Sequence, residues 1–557
     1  MTTRLVVIAD SHFHPAAGPV GAAWASDAAF NARNAAVVAQ IAGWSPARVI
    51  HLGDVVHPIP GLPEHADALD VAQATYAGLA APLRVVPGNH DVGDKPHPWA
   101  PAPSVSAAKH AVFVDRWGPP WWEEEVDGVR LIGVDTPLLH SGLPLEEDQW
   151  RWLEGLALAG PRRTFAFVHY PPFLLEPDER EHYDNLAPPG RARLLDLFAR
   201  LGVEAVFCGH VHHPFWNRHA GIDYYLLPST AFVRPEYAEL GRVEPGDEYG
   251  RNETGRLGFC VVDIAAVGHR VHWVRTGGAT TPAEAPPHQT PPARAPRTQL
   301  ALTLRHAWDA VLDLPADGLE PFQRKRARND LVLLASWELG VSCLRLPFDD
   351  LRTPTTRARL QALHAARGLQ VVVWSASPLS TDDQRILAEV GGLVVAVECI
   401  VPRARLDAPL PPSPVPRWVS PLGRAPNETA GGFTHFSPVG FQVDDPDLGR
   451  AGGDGLVFRV GEALETEVDR IAATRRAALA LVSLPGAGES HRAVDDAATA
   501  ARVAAAESAA RAHPGLIVCL DTTVDHDRGY FPRNGLLDRR GNPRAAFWRL
   551  AAMAREA

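Results

Sequence analysis

Short apolar runs alternate with amphipathic stretches through the first half of the chain. The runs at 4–9, 49–52 and 164–168 are apolar and end at polar residues, as buried strands do. Between them, apolar residues recur at helical spacing, for example over 29–42 and 66–80. Later strands follow one another without intervening helices. This order predicts a layered α/β domain with two sheets between helices.

The pattern breaks at residues 276–298, where six Pro stand among Thr, Ala and Gly. Such a composition is typical of an extended, semi-rigid linker. Helices and strands alternate again after it, and they amount to nearly eight βα units if unclear strands before 326 and within 427–445 are included. We therefore predict an α/β domain over 1–275, a linker over 276–298, and a (β/α)8 barrel like that of TIM over 299–557.

The local pattern gives a separate prediction for each of three further stretches. Residues 92–122 contain many Pro, His and Trp and little periodicity, which predicts a long functional loop. Residues 326–339 have the spacing of a helix. A second Pro-rich stretch, at 402–426, is expected to interrupt the barrel alternation.

Composition narrows the class of partner. The 557 residues carry a net charge of -11, which disfavours stable binding to nucleic acid or to anionic membranes. The five Cys lack CxxC spacing, so neither a disulfide framework nor a thiolate zinc site is expected. No apolar run reaches the length of a membrane span, and the first residues lead directly into a strand. A cytoplasmic location is expected, and the oligomeric state stays open.

Polar side chains follow five of the predicted strands in the first domain. They are Asp10, His12, Asp54, Asn89, His90, His169, His210 and His212. Ligands in α/β sheets bind at the carboxyl ends of strands, and two cations about 3.5–4 Å apart suit this set. Asp54 is the candidate bridge because it stands alone in its block. Oxygen and imidazole ligands without thiolates fit Mn, Fe, Zn, Ni or Co.

These blocks occur in a recognisable order: Asp-x-His, Gly-Asp, Gly-Asn-His-Asp, His and Gly-His-x-His. The order resembles the calcineurin-like metallophosphoesterase superfamily. The resemblance implies a four-layer αββα fold with two metal ions over residues 1–275. It assigns the first metal to Asp10, His12, Asp54 and His212. It assigns the second metal to Asp54, Asn89, His169 and His210. It also makes His90 catalytic, with Asp91 orienting its ring.

The implied chemistry is hydrolysis of a phosphate ester. Two cations polarise the phosphoryl oxygens and lower the pKa of a bound water, so that hydroxide is present near neutral pH. The hydroxide between the metals attacks phosphorus in line. A protonated His90 then serves as general acid and protonates the leaving alkoxide. The expected partner is a small-molecule phosphate ester.

Departures from the family pattern favour one branch. Protein Ser/Thr phosphatases continue the second block as GDxxDRG and have Glu after GNH, whereas this chain has GDVVH and Asp91. No Tyr ligand is evident near Asp54, which argues against purple acid phosphatases. The chain looks most like the cyclic-nucleotide phosphodiesterase branch, so we expect a small phosphodiester substrate, a cyclic nucleotide or similar. The alternative is a phosphomonoesterase acting on a small or sugar phosphate.

Further residues follow the metal blocks or later strands and have two interpretations. His14 and His57 either contact the substrate or lie on a solvated rim. Tyr183 and Arg234, on loops after later strands, leave the same alternatives open.

The end of the chain, 525–543, resembles the tail of some glycoside hydrolase barrels. Those enzymes need two carboxylates about 5–5.5 Å apart for retention or farther apart for inversion, and the candidates are Glu398, Asp521 and Asp525. We expect a non-catalytic barrel that serves as a scaffold, lid or carbohydrate-binding surface. A carbohydrate-active or carbohydrate-binding protein is the alternative of a different class.

Overall fold

The chain forms two compact units in a computed structural model. One unit contains Met1–Gln289 and Val311–Leu331, and the other contains Thr290–Ala310 and Val332–Ala557. The structure describes residues 2–17, 24–97, 100, 102–156, 163–286, 297–305, 308–316, 319–423, 438–484, 496–525 and 533–555.

The strands of the first unit lie in two sheets and one hairpin, and those of the second unit form a barrel. The strands up to residue 275 are β1 (Thr3–Ile8), β2 (Arg48–His51), β3 (Leu83–Val85), β4 (Trp122–Val126), β5 (Val129–Val134), β6 (Arg163–Val168), β7 (Val203–Cys208), β8 (Phe215–His219), β9 (Ile222–Leu226), β10 (Gly258–Ile264) and β11 (His269–Arg275). The later strands are β12 (Arg297–Thr303), β13 (Val311–Pro315), β14 (Arg324–Arg328), β15 (Val341–Pro347), β16 (Gln370–Ser375), β17 (Val394–Pro402), β18 (Arg417–Leu422), β19 (Gly455–Val460), β20 (Ala477–Val482) and β21 (Ile517–Leu520).

The α-helices alternate with these strands. Those before residue 290 are α1 (Phe30–Ala42), α2 (Glu64–Tyr76), α3 (Asn89–Val92), α4 (Ala107–Trp117), α5 (Pro144–Gly155) and α6 (Pro188–Arg200). Those after it are α7 (Leu331–Glu338), α8 (Asp349–Arg352), α9 (Pro354–Arg367), α10 (Thr381–Val390), α11 (Leu464–Ala472), α12 (Asp496–Ala512) and α13 (Ala545–Arg555).

Two mixed sheets form the frame of the first unit. In the described residues, the order of one is β11-β10-β1-β2-β3 and that of the other is β4-β5-β6-β7-β9-β8. Strands β1, β2 and β3 run parallel to one another, and so do β5, β6 and β7. Each sheet has its own apolar core with helices on one side, because helices α1 and α2 pack on the first sheet and α5 and α6 on the second. The predicted layered α/β fold is confirmed.

Side chains also connect the two sheets directly. Trp122 on β4 donates from Nε1 to the carbonyl oxygen of Val85 on β3 at 3.0 Å. Glu204 on β7 lies 2.5 Å from Nδ1 of His269 on β11. These contacts link the first sheet to the second.

The second unit contains the predicted barrel. Strands β12, β15, β16, β17, β18, β19, β20 and β21 form a closed barrel. Neighbouring strands are parallel all the way round, including the closing pair β12 and β21. Val372, Val457 and Leu479 contribute to its apolar interior, and all three are fully buried. The (β/α)8 prediction is confirmed.

Three details of the sequence-based interpretation were wrong. The predicted loop at 92–122 contains helix α4, which begins after the capping side chain of Ser106. The Pro-rich stretch at 402–426 supplies barrel strand β18. Helix 326–339 begins only at Leu331, because Arg324–Arg328 is an antiparallel strand paired with β13. Part of the predicted linker, 287–296, lies outside the described residues.

The structure shows the surroundings of the three barrel carboxylates that are candidates for glycoside hydrolysis, Glu398, Asp521 and Asp525. Glu398 on β17 is fully buried and accepts a hydrogen bond from Nε of Arg345 at 2.6 Å. The catalytic acid of a glycosidase must contact the glycosidic oxygen. The carboxylate of Glu398 instead forms a buried ion pair with Arg345. Burial raises the pKa of Asp521 and of Asp525.

No α-helix in the described residues is long and apolar enough to span a membrane.

Candidate metal centre

The predicted metal ligands all follow the carboxyl ends of parallel strands. Blocks after β1, β2 and β3 come from one sheet, and blocks after β6 and β7 come from the other. Several of these residues have left-handed backbone conformations, which cost free energy and persist where surrounding structure enforces them. Their φ angles are 54° at Asp10, 44° at His12, 54° at Asp54, 69° at His210 and 55° at His212. The turns at these five residues thus direct their side chains toward one another.

One group of donors surrounds the first predicted metal position. Asp10, His12, Asp54 and His212 are buried, and their ligand atoms lie within 4.8 Å of one another. Nε2 of His12 is 3.1 Å from Nε2 of His212 and 3.7 Å from Oδ2 of Asp54. Nε2 of His212 is 3.3 Å from Oδ1 of Asp10. The structure brings together all four residues expected here.

The second group shares Asp54 with the first. The ligand atoms of Asp54, His169 and His210 also lie within 4.8 Å of one another. Oδ1 of Asn89 is 3.0 Å from Nε2 of His169 and 3.0 Å from Nδ1 of His210. Oδ1 of Asp54 is 3.4 Å from Nε2 of His169, while its Oδ2 faces His12. Asp54 therefore has one oxygen toward each group, the arrangement required of a bridging carboxylate.

The donor set fits two divalent cations. Imidazole nitrogens must be neutral to bind a metal, and burial lowers the pKa of both His12 and His210. Burial opposes ionisation of Asp54, but the neighbouring His169 and His90 outweigh it and hold the pKa of Asp54 below its ordinary value. Buried carboxylate, amide and imidazole donors crowded together require a cation between them. The metal identity is not determined by these ligands.

Two glycines permit the close approach of the blocks. A Cβ at Gly88 would lie 2.3 Å from the amide nitrogen of Asp54 and 2.8 Å from Cε1 of His169. Gly53 has a φ of 94°, and a Cβ there would lie 2.4 Å from the amide nitrogen of Gly88. Only residues without a side chain let the second and third blocks touch.

His90 lies beside the metal donors and is partly exposed. Its Nδ1 is 2.5 Å from the carbonyl oxygen of His57, and its amide donates to Oδ1 of Asp54 at 2.8 Å. The expectation that Asp91 orients the His90 ring needs correction. Both oxygens of Asp91 accept from backbone amides, those of Asp54 at 2.8 Å, Val55 at 3.1 Å and Gly88 at 2.8 Å. Asp91 thus fixes the loop of the bridging carboxylate.

The two predicted substrate-contact histidines lie near His90. The ring centroids of His57 and His90 are 5.6 Å apart, and Nδ1 of His57 lies 3.4 Å from Nδ1 of His12. His14 is farther from the surface, with 4% of its area exposed, and packs 4.7 Å from His57 and 5.3 Å from Phe30 between ring centroids. Their contact with a substrate stays a prediction.

Asp184 is a buried carboxylate that the sequence did not identify, and it lies next to the second group of donors. Oδ1 of Asp184 lies 3.3 Å from Nε2 of His210. Asp184 also accepts from Nη1 of Arg234 at 2.5 Å and from the hydroxyl of Tyr237 at 2.7 Å. Burial would raise the pKa of Asp184, but Arg234 and Lys325 hold it well below its ordinary value. Asp184 lies in an irregular loop before α6, so neither spacing nor motif identifies it.

Comparisons with known proteins agree with this centre. The sequence model for calcineurin-like phosphoesterases matches residues 3–214. A human protein named serine/threonine-protein phosphatase CPPED1 is 31% identical over 237 residues, which are 41% of this chain and 68% of that protein. The chain belongs to the calcineurin-like phosphoesterase family. The two groups of donors described above lie within the residues that this family model matches.

Two other relatives of the chain have names that differ from each other. The CPPED1 protein of Danio rerio is 34% identical over 189 residues, which cover 32% of this chain and 58% of that relative. A glycerophosphodiester phosphodiesterase, GpdQ, of Enterobacter lignolyticus is 30% identical over 216 residues, 37% of this chain and 70% of that protein. One name denotes monoester and the other diester hydrolysis, so the preferred ester stays a prediction. The expected separation from protein phosphatases finds no support in these names.

Proposed function

We propose that this protein is a phosphodiesterase that hydrolyses a small phosphodiester, such as a cyclic nucleotide, with two metal ions. The observation that carries the proposal is Asp54, whose two carboxylate oxygens face two separate groups of buried donors. When bound, two cations at such a centre polarise phosphoryl oxygens and supply a nucleophile near neutral pH. All groups proposed to bind metal or react with the substrate are assigned to residues 1–275, and the barrel over 299–557 is proposed to be non-catalytic, with no group that touches the substrate.

His90 is proposed as the general acid. A carbonyl oxygen only accepts hydrogen bonds, so Nδ1 of His90 donates its proton to the His57 carbonyl. Nε2 is then the ring nitrogen that exchanges a proton with the substrate. Its position beside the donors, with the ring centroid 4.7 Å from that of His12, suits protonation of the leaving alkoxide.

The charges around the centre support a diester over a monoester. A monoester carries a second negative charge, which enzymes commonly bind with arginine. Arg234 and Arg251, two arginines that interact with His210 and His12, are bonded to carboxylates. Arg234 binds Asp184 at 2.5 Å, and Arg251 binds Asp27 at 2.8 Å. With both guanidinium groups already neutralised, the site suits a singly charged phosphate.

The test compares esters on the full-length protein. With Mn²⁺ added, we expect a higher kcat/KM for bis(p-nitrophenyl) phosphate than for p-nitrophenyl phosphate. Asp54→Asn should abolish both activities, whereas Asp148→Asn, on an exposed helix position, should leave both unchanged. Activity that persists in Asp54→Asn would rule out the proposed centre.

A phosphomonoesterase acting on a small phosphate is the second candidate. The relatives named serine/threonine-protein phosphatase favour it. A kcat/KM for p-nitrophenyl phosphate above that for the diester would select this candidate and reject the diester preference, while the metal centre would stand.

A further inference from the structure

A segment from the middle of the chain packs against the metal-binding unit. Strands β13 and β14 form an antiparallel hairpin that follows barrel strand β12 in sequence, yet Val311–Leu331 belongs to the same compact unit as the phosphoesterase sheets. Leu314 and Ala327 are fully buried in the core of the second sheet. The hairpin is thus part of the packed core of this unit.

The hairpin also covers one edge of that sheet. Strand β8 is the last strand in the order β4-β5-β6-β7-β9-β8, so its outer backbone groups have no neighbouring strand among the described residues. The amide of Trp216 on β8 donates to Oδ2 of Asp330 at 2.9 Å, and its carbonyl accepts from Nη2 of Arg328 at 3.0 Å. Because the backbone groups of Trp216 at the sheet edge bond to Arg328 and Asp330, the hairpin is held at this edge.

Strand β14 places the ammonium group of Lys325 in the interior of the unit. Burial alternates along the strand, so that Arg324 and Arg326 are exposed and Lys325 between them is buried. The side chain of Lys325 has no exposed area, and its ammonium group binds Asp184 and, at 2.9 Å, Oε1 of Glu236. A fully buried ammonium group is costly unless it is paired, so this lysine is held by its two carboxylates.

The network around Lys325 balances its charges. Asp184 and Glu236 contribute two negative charges, and Lys325 and Arg234 contribute two positive charges, with Arg234 2.5 Å from each carboxylate. Removal of Lys325 would leave one buried negative charge uncompensated. Asp184 is the member of this network that lies 3.3 Å from His210.

His210 connects the network to the metal donors. Nε2 of its ring faces Asp184, and Nδ1 lies 3.0 Å from Oδ1 of Asn89 among the second group of donors. Carboxylates on the far nitrogen of a metal-binding histidine fix the orientation of its ring and strengthen it as a ligand, and their loss typically reduces metal affinity 10- to 100-fold.

We propose that the hairpin Val311–Arg328 completes the phosphoesterase site and that Lys325 is a positioning residue, which through Asp184 holds His210 toward the second metal. The inference rests on the proposed dinuclear centre. It means that the catalytic unit needs a segment located after the first barrel strand in sequence, and that residues 1–275 alone bind the second metal weakly.

The experiment measures binding of Mn²⁺ to the full-length protein and three variants. Lys325→Met should reduce the affinity of one of the two Mn²⁺ sites about 10- to 100-fold and leave the other within about twofold. Lys325→Arg should restore part of the affinity because it keeps the charge. Arg324→Met, on the exposed face of the same strand, should bind both ions like the unaltered protein.

Asp184→Asn covers the case in which Lys325→Met does not fold. This variant keeps the size of the side chain and leaves Lys325 paired with Glu236, and it should also reduce the affinity of one Mn²⁺ site about 10- to 100-fold. Unchanged binding of both ions in folded Lys325→Met, or in folded Asp184→Asn, would overturn the positioning role and assign the hairpin to stability alone.

Failure of the proposed function gives a different result. If the unaltered protein binds two Mn²⁺ ions with Lys325-dependent affinity but cleaves neither nitrophenyl ester, the positioning role stands and the proposed substrate class fails. If it cleaves the diester and Lys325→Met binds metal normally, the positioning role alone fails.

Discussion

The ring of His90 is oriented by a backbone group, the carbonyl oxygen of His57, which lies 2.5 Å from Nδ1 of His90. A backbone partner does not titrate and cannot be removed by a side-chain substitution. It therefore fixes which ring nitrogen faces the site over the whole working pH range. The second and third metal blocks are thus coupled by this bond as well as by the bridging Asp54.

Substitution of His90 should lower kcat more for esters with poor leaving groups than for esters with good ones. In His90→Asn, we expect kcat for a diester with a poor alkoxide leaving group to fall about 10²- to 10⁴-fold, because the departing oxygen no longer receives a proton. Bis(p-nitrophenyl) phosphate, whose p-nitrophenolate leaves without a proton, should be affected much less. Steady-state kinetics on both esters check this, and an equal loss on both would contradict the general acid role.

Gly88→Ala should destroy the metal centre. The added methyl group would lie 2.3 Å from the amide nitrogen of Asp54, so the bridging loop must move. We expect loss of Mn²⁺ binding at both sites, measured by equilibrium dialysis. The matched control is Gly155→Ala at the end of α5, where a Cβ meets nothing within 4 Å and binding should be unchanged. Normal metal binding in Gly88→Ala would show that the loop tolerates a side chain.

Removal of metal should lower thermal stability. Ions that bind only the folded protein stabilise it by about 2.7 kcal/mol per site when their free concentration is 100 times Kd. A chelator should therefore lower Tm by several degrees, as measured by scanning calorimetry. In Asp54→Asn, the chelator should change Tm little, because both groups of donors lose the shared carboxylate. An equal effect of chelator on this variant would indicate a metal site elsewhere.

Glu204 should contribute stability that acid removes. Burial opposes its ionisation, but bonds from His269 and Arg163 lower the pKa of Glu204 from 4.5 to about 2. A carboxyl group whose pKa is lower in the folded state stabilises the fold above pH 4.5, and that contribution disappears as pH falls toward 2. Since Glu204 is partly exposed, we expect about 1–2 kcal/mol at pH 7.

Chemical denaturation across pH tests this expectation. Glu204→Gln should be less stable than the unaltered protein at pH 7, and the difference should shrink between pH 4.5 and pH 2. Glu147→Gln, an exposed position on α5, should show no such difference. A Glu204→Gln curve parallel to that of the unaltered protein at every pH would contradict the lowered pKa.

Local patterns in the sequence determined much of this protein. The polar blocks that follow the strands, from Asp10 to His212, identified the candidate metal donors, because β-strand periodicity and the turn after each strand are set by neighbouring residues. The βα alternation likewise identified the barrel. Helix α4 was missed because Pro and Trp around it mask its periodicity, although Ser106 is a typical capping residue.

The tertiary structure alone decided which groups support the donors. Lys325 and Asp184 are 141 residues apart in sequence, and a single lysine in a basic run gives no sign of burial. The helix predicted over 326–339 includes the end of strand β14, which forms because pairing with β13 and packing on the sheet outweigh local preference. Asp91, likewise, stands next to His90 in sequence, but its carboxylate accepts from the backbone amides of Asp54, Val55 and Gly88. Local sequence fixes periodicity and turns, whereas burial and pairing of charges depend on residues that only folding brings together.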